Sequence, residues 1–186
     1  MKNATTLIAQ LRSNAVEAFD LLIEQYGDRL YWHIRRIVVQ HEEAEDVMQE
    51  AFSRAYLSIA NFKGDTESSL TAWLYKIATN IAITALRKRK RGIFSTLDSV
   101  RGDLLATFEQ EIDPSADDIV VRLQKAILAL PTKQRLVFNM RYYDELSFEQ
   151  ISQATGQSIS TLKTNYHYAV QKIKQQVRVI EIEECV

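Results

Sequence analysis

Few residues of this chain interrupt or crosslink a polypeptide. Its 186 residues include one cysteine, two prolines and five glycines. A single cysteine, Cys185, excludes an internal disulfide framework, and the scarcity of proline and glycine leaves few breaks in long helices. No apolar run approaches the roughly 20 residues that cross a bilayer, and no basic-then-apolar secretory pattern opens the chain. We therefore expect a cytoplasmic protein rich in helix.

Residue patterns that carry catalysis are missing as well. The three histidines, His33, His41 and His167, are scattered, and no second histidine follows His41-Glu42 at the spacing of a zinc protease. The chain has no phosphate-binding glycine loop and no nucleophile elbow, and Cys185 lies in a short terminal segment. We therefore predict no catalytic residue, no metal site and no cofactor, and we do not expect an enzyme.

Apolar periodicity predicts an all-α fold, and no convincing alternating strand pattern occurs. In the first half the predicted helices are Thr5 to Arg12, Ala15 to Tyr26, Asp28 to Val39, Glu42 to Asn61 and Ser69 to Arg89. In the second half they are Ala116 to Ala129, Thr132 to Tyr142, Phe148 to Thr155 and Ser160 to Val179. The pattern predicts two small helical domains.

The segment between these halves differs in charge and periodicity. Residues 1–91 hold 13 Lys and Arg against 11 Asp and Glu, residues 92–121 hold 1 against 7, and residues 122–186 hold 9 against 6. The net charge of −1 therefore conceals two mildly basic blocks that can each bind a polyanion. We predict domains at 1–91 and 116–186, joined by a flexible acidic linker at 92–115 that could hold a short helix around Leu104 to Glu111.

The segment from Ser69 to Arg91 combines an apolar helical face with a basic end. Its apolar residues recur at helical spacing: Leu70, Trp73, Leu74, Ile77, Ala78, Ile81 and Ala85. A polar face holds Lys76, Asn80, Thr84, Arg87 and Arg91. At 1.5 Å per residue this polar face is roughly 22 Å long, enough to follow several nucleotides. A solvated helix end, whose cations complement the helix dipole, is the alternative.

A helix-turn-helix pattern begins at Leu146. Ser147 and Gln150 have the spacing of a capping box, and Gly156 can take the left-handed conformation that ends a helix. Ser158 or Ser160 then caps a longer helix with apolar residues at Leu162, Tyr166, Ala169 and Ile173. Its outer face offers Ser160, Thr161, Lys163, Thr164, Asn165, His167 and Tyr168. Such a helix can enter the major groove, although a hairpin used only for packing has the same layout.

The predicted helix from Glu42 to Asn61 has an acidic face. Its apolar residues are Ala44, Val47, Met48, Ala51, Phe52, Ala55 and Ile59, and the opposite face carries Glu42, Glu45, Asp46, Gln49, Glu50 and Ser53. An acidic face would repel phosphate. We therefore expect it to meet a basic protein surface, with an ordinary solvated face as the alternative.

Taken in order, these segments resemble the extracytoplasmic-function sigma factors of bacterial RNA polymerase, in the sigma-70 family. The second conserved region of that family is similar to AFDLLIEQYGDRLYWHIRRIV, and its acidic D-x-x-Q-E helix is similar to EEAEDVMQEAFSRAY. The W-L-x-K/R-I-A-x-N-x-A helix that reads the minus-ten element resembles TAWLYKIATNIAITALRKRKR. LPTKQRLVFNMRYY and the helix-turn-helix look like the fourth region, which reads the minus-thirty-five element.

The resemblance implies a role for each matching residue. Asp46, Gln49 and Glu50 would dock on the clamp helices of the largest subunit of core RNA polymerase. The residues implied to contact minus-ten DNA are Asn61, Phe62, Lys63, Gly64, Lys76, Asn80, Arg87, Lys88, Arg89, Lys90 and Arg91. Those implied to contact minus-thirty-five DNA are Lys163, Thr164, Asn165 and His167, together with Ser160 and Thr161 on the same face. Promoter DNA is thus an expected partner, an anti-sigma factor is a further hypothesis, and no small-molecule substrate is expected.

Two departures bear on the DNA sequence that is read. Family members often carry an acidic residue in place of Thr84, and arginines in place of Asn165 and Tyr168. A repressor that binds duplex DNA by itself, and a purely structural helical adaptor, are the alternative classes. The first would need a ligand-binding or dimerisation domain, which Glu42 to Arg91 does not resemble.

Overall fold

The computed structural model describes residues 4–13, 15–90, 104–110 and 117–183, and these residues form helices without any strand. The helices of the first half are α1 (Ala4–Ser13), α2 (Ala15–Val38), α3 (His41–Ser58) and α4 (Glu67–Lys90), with a 3₁₀ turn at Ile59–Asn61 after α3. Residues 104–110 form α5. The second half contains α6 (Asp118–Leu128), α7 (Thr132–Tyr142), α8 (Phe148–Thr155) and α9 (Ile159–Glu183). The prediction of an all-α fold is confirmed.

The helix α2 is longer than its sequence suggested. A break was predicted at Gly27, but α2 runs continuously from Ala15 to Val38, so that prediction was wrong. Glycine inside a helix costs about 1 kcal/mol relative to alanine, which weakens a helix without ending it. Buried residues on both sides of Gly27, including Leu22, Tyr26 and Leu30, hold the helix against the core.

The first half is a helical bundle in which α2, α3 and α4 all pack on one another, with α1 against α2 and α4. The buried residues of α3 are three alanines and one valine: Ala44, Ala51, Ala55 and Val47. Small side chains let the neighbouring backbones approach closely, while α2 and α4 supply the larger core residues such as Tyr26 and Leu74.

The second half packs α6 and α7 against the long helix α9, and α8 against α9 and α7. Its own small core contains Ile127, Leu130, Phe138, Ala169 and Ile173. The capping box at Ser147 and Gln150 is present and begins α8, so that prediction is confirmed.

The two halves lie directly against each other. The most extensive contact between two helices of the described residues joins α4 to α8. A single hydrophobic cluster runs from Leu22 of α2 through Leu74 of α4 to Ile151 of α8, and it includes Leu104 of α5. Within the segment predicted as a linker, residues 104–110 are helical, as expected, and the remainder lies outside the described residues. Each helix in the described ranges is too short or too polar to cross a bilayer.

Candidate functional site

The acidic face of α3 points to solvent. Asp46, Gln49 and Glu50 are all exposed, whereas Val47 and Ala51, on the other side of the helix, are buried. Arg54 forms an ion pair with Glu50 one turn away. Such exposed pairs contribute little stability, so the carboxylates remain available to a partner surface.

A cleft of about 540 Å³ lies beside this acidic face, between α2 and α3. It is lined by Ile23, Glu24, Gly27, Asp28, Tyr31, Glu45, Met48 and Gln49. The lining combines apolar side chains with three carboxylates, which suits a helix that carries both apolar and basic side chains. Sequence reasoning missed the α2 side of the cleft because a break had been predicted at Gly27. The signal was present, since Ile23, Gly27 and Tyr31 are spaced four residues apart on one continuous helix.

The polar face predicted on α4 is exposed. Lys76, Asn80, Thr84 and Arg87 are all solvent-accessible, as is Lys88. The Thr84 hydroxyl donates to the Asn80 carbonyl oxygen at 2.7 Å, which orients the hydroxyl along the helix. The helix continues through Arg89 and Lys90, and Arg91 lies outside the described residues.

The loop before α4 exposes two polar side chains and packs an aromatic ring between them against α4. Asn61 and Lys63 are exposed, whereas Phe62 is half-buried with its ring centroid 5.1 Å from that of Trp73. The Phe62 ring also covers Gly64, where a Cβ atom would come within 3.0 Å of the ring. The α4 start is secured by Ser69, whose backbone N–H donates to the Thr66 hydroxyl oxygen at 3.2 Å. Phe62 therefore supports the loop from below and is less open to DNA than Asn61 and Lys63.

The helix-turn-helix has the geometry that the sequence predicted. Gly156 has a φ of 72° and ends α8, and the Ser158 hydroxyl accepts from the Thr161 backbone N–H at 3.2 Å near the start of α9. Leu162, Ala169 and Ile173 are buried, and Tyr166 is partly buried. On the opposite side Ser160, Thr161, Lys163, Thr164 and His167 are exposed, and Asn165 is partly exposed.

One further cation lies beside this face. The guanidinium carbon of Arg141, at the end of α7, is 5.7 Å from the centre of the Phe148 ring, and Lys163 Nζ is 5.9 Å from the same centre. The pKa of Glu149 is lowered by hydrogen bonds from its own backbone N–H and from the Ser147 side chain. The positive charges of Lys163 and Arg141 lower this pKa further. Sequence reasoning missed Arg141 because it precedes the helix-turn-helix along the chain.

The described residues contain no group of three His, Cys, Asp or Glu side chains that could hold a metal ion. The surfaces that carry charge are instead spread over the protein. One acidic face and cleft lie on α2 and α3, and separate polar or basic faces lie on α4 and α9. Such a division suits a protein that binds a protein partner and nucleic acid at once.

Comparisons with known proteins agree with this arrangement. The family described as sigma-70 region 2 matches residues 22–92, and that described as sigma-70, region 4 matches residues 121–173. The ECF RNA polymerase sigma factor SigW of Bacillus subtilis is 33% identical, over 92% of this chain and 95% of its own. The RNA polymerase sigma-H factor of Pseudomonas aeruginosa is 31% identical, over 90% of each chain.

Solved structures show the same fold. A chain from the structure of CnrH in complex with the cytosolic domain of CnrY has a TM-score of 0.69 at 20% identity, covering 94% of this chain and 97% of that chain. The sigma factor RpoE in complex with the anti-sigma factor NepR from Bartonella quintana has a TM-score of 0.68 at 19% identity, covering 88% and 99%.

Proposed function

The chain belongs to the extracytoplasmic-function group of the sigma-70 family, which directs RNA polymerase to promoters and starts transcription, and we propose how its surfaces divide that work. The observation that carries the proposal is the separation of charge described above. Three exposed surfaces differ in chemistry and lie on different helices: the acidic α3 face, the α4 face and the α9 face. Each can therefore meet its own partner without competing with the others.

The acidic face and the adjoining cleft form the docking surface for core polymerase. Asp46, Gln49 and Glu50 provide polar contacts to the clamp helices of the largest subunit, and Ile23 and Met48 provide apolar contacts. Exposed charges at the edge of an interface mainly set orientation and association rate, while buried apolar contacts supply most of the affinity.

The loop before α4 and the polar face of α4 bind the minus-ten element. Extruding a base from its stack costs a few kcal/mol, which a site that stacks and hydrogen-bonds the base can offset. Asn61, Lys63 and Asn80 offer exposed hydrogen-bonding groups, with Lys76 one turn before Asn80. The basic end of α4 follows the backbone of the upstream duplex.

The exposed face of α9 enters the major groove at the minus-thirty-five element. Lys163, Thr164, Asn165 and His167 contact base edges or phosphates there. Arg141 adds a phosphate contact beside Lys163. Few charged side chains on this face imply a shallow dependence of binding on salt.

The protein acts without catalytic chemistry of its own, in the cytoplasm together with the polymerase. An anti-sigma factor is a further expected partner. Of the two solved structures named above, one holds CnrH in complex with the cytosolic domain of CnrY, and the other holds the sigma factor RpoE in complex with the anti-sigma factor NepR. An inhibitor that covered the same surfaces here would keep the chain from the polymerase.

Run-off transcription with reconstituted core polymerase tests the function. The expected result is a specific transcript from some genomic fragments that core polymerase alone does not make. The double variant Asp46→Lys with Glu50→Lys should abolish holoenzyme assembly in a pull-down while leaving the helical content unchanged. A matched control reverses two exposed acids away from this face, Glu109 of α5 and Asp118 of α6, and should assemble normally. Normal assembly of the α3 variant would contradict the docking assignment.

A further inference from the structure

An exposed tryptophan lies on α2, the helix next to the acidic face of α3. Trp32 is 55% exposed, whereas tryptophan side chains are largely buried in most folded proteins. The other tryptophan, Trp73, packs against Phe62 of the loop before α4. Trp32 belongs neither to the acidic face of α3 nor to the DNA-contacting faces of α4 and α9, so the surfaces assigned above leave it without a role.

Contacts between α2 and α3 hold the neighbour of Trp32 in place. The Trp32 ring meets the Tyr31 ring edge-on, with the ring centroids 5.4 Å apart. A hydrogen bond of 2.7 Å joins the Tyr31 hydroxyl to Nδ1 of His41, the first residue of α3. Nε2 of His41 is in turn 3.4 Å from Oε1 of Glu45. Because the aromatic pair is tied to both helices, it has less side-chain freedom to lose when a partner binds.

Tyr31 connects Trp32 to the cleft between α2 and α3. Tyr31 lines that cleft, and so does Asp28, which lies one helical turn before Trp32. The aromatic surface therefore continues from the cleft onto the exposed side of α2. A helix seated in the cleft would have Trp32 beside it, within reach of its longer side chains.

The charges of the cleft select a basic occupant. The described residues that line the cleft include no cation and three carboxylates: Glu24, Asp28 and Glu45. The face of an indole ring attracts a cation more strongly than the rings of tyrosine and phenylalanine do. A guanidinium group can stack on such a ring and also pair with a carboxylate through two hydrogen bonds. Asp28 and Trp32, one turn apart, therefore suit a single arginine.

Two cations of α2 flank Trp32, and they would favour an acidic partner if they shared its surface. Arg29 lies on the side towards α4, where its charge acts on the Tyr75 hydroxyl, and Arg35 is partly buried. The ring contact of Trp32 is instead with Tyr31, on the side of the cleft. The carboxylates of the cleft therefore set the charge that an occupant beside Trp32 meets.

We propose that Trp32 anchors core polymerase: an arginine of a clamp helix lies over the Trp32 ring and pairs with Asp28. The inference rests on the proposed function, because it takes the clamp helices of the largest subunit as the occupant of the cleft. Buried aromatic side chains near the centre of an interface supply much of its affinity. Trp32 therefore contributes mainly to affinity, while the exposed charges Asp46 and Glu50 contribute mainly to orientation and association rate.

The affinity of the full-length chain for immobilised core polymerase tests the anchor. Trp32→Ala should weaken binding on the order of thirtyfold, the effect of losing an interface residue that dominates affinity. Its helical content should match that of the parent, because the side chain is largely exposed in the free protein. Trp32→Phe keeps an aromatic face and should bind more tightly than Trp32→Leu, which keeps only apolar surface. Equal losses in these two variants would overturn the stacked arginine.

A double-mutant cycle tests whether one arginine contacts both residues. Asp28→Asn is measured alone and together with Trp32→Leu. If both side chains hold the same arginine, the combined loss of affinity should be smaller than the product of the two single losses. Losses that simply multiply would overturn the shared contact.

Photocrosslinking identifies the partner directly. A benzoylphenylalanine in place of Trp32 should crosslink to the clamp helices of the largest subunit. The matched control position is Tyr142 of α7, which is 56% exposed; Tyr142→Ala should bind like the parent, and benzoylphenylalanine there should not reach the clamp helices. Full affinity of Trp32→Ala, in an assay in which Asp46→Lys with Glu50→Lys fails to assemble, overturns the anchor and leaves the proposed function standing. Failure of the parent itself to bind core polymerase would overturn both.

Discussion

Two glycines of the first half should respond in opposite directions to the same substitution. At Gly64, in the loop before α4, an added Cβ atom would lie within 3.0 Å of Ser69 Oγ and of the Phe62 ring. At Gly27, in the middle of α2, the nearest atoms belong to Ile23 and Met48, both 3.9 Å away. A methyl group therefore collides at Gly64 and fits at Gly27.

The magnitudes follow from what must move. Gly64→Ala has to displace Phe62 from Trp73 or disturb the Thr66–Ser69 hydrogen bonds at the start of α4, and overpacking of this kind costs about 1–3 kcal/mol. Gly27→Ala should stabilise the protein by about 0.5–1 kcal/mol, because alanine loses less backbone entropy than glycine when a helix forms.

Thermal unfolding followed by circular dichroism measures both effects. For a chain of this size 1 kcal/mol corresponds to about 2–4 °C in Tm. Gly64→Ala should therefore lower Tm by roughly 2–12 °C, and Gly27→Ala should raise it by up to about 4 °C. Shifts of the same sign at both positions would refute the steric reasoning.

The same substitution tests the proposed role of the loop. Phe62 supports the loop that carries Asn61 and Lys63, and Gly64→Ala should disturb that support. The variant should therefore open promoters less well, as measured by the permanganate reactivity of unpaired thymines. Assembly with core polymerase uses the α3 face, which does not include this loop, and should not change. If Gly64→Ala lowers Tm but the protein still opens promoters normally, the loop has no role in capturing the DNA strand.

Three further predictions concern the second half and the core. Ser147→Ala removes the capping box of α8 and should cost about 1 kcal/mol in denaturant unfolding. Burial raises the pKa of the Tyr75 hydroxyl above 10.0, so its contribution to stability is complete below pH 10 and is lost as pH rises towards the folded-state value. Tyr75→Phe should therefore unfold at higher pH in an alkaline titration. If Lys163 contacts one phosphate, Lys163→Ala should reduce the slope of log K against log salt concentration by about 0.9 in magnitude, for binding to minus-thirty-five DNA.

Local signals predicted much of the second half correctly. The capping box at Ser147 and Gln150, the left-handed Gly156 and the buried positions Leu162 and Ala169 all follow from interactions within a few residues of sequence. Hydrogen bonds at helix ends and the period of 3.6 residues are properties of the chain itself. The exposed faces of α3 and α4 were predictable for the same reason.

The error at Gly27 shows where local reasoning failed. A glycine at that point reads as a helix end, yet Tyr26 and Leu30 on either side are buried against the bundle and keep α2 continuous. The free energy gained by burying these residues comes from tertiary contacts. It exceeds the cost of placing one glycine inside a helix. With α2 read as two helices, the cleft beside α3 could not be foreseen.

By itself the sequence determined the helices, their caps and the charge of each exposed face, because these depend on residues close together along the chain. Only the tertiary structure decided that α4 is buried on a second side, where Tyr75, Thr79 and Leu86 lie, and that His33 meets Asp144. Those two residues are separated by 111 positions. No local periodicity encodes which distant helix covers a face, since that choice depends on the shape and polarity of both surfaces once the chain has folded.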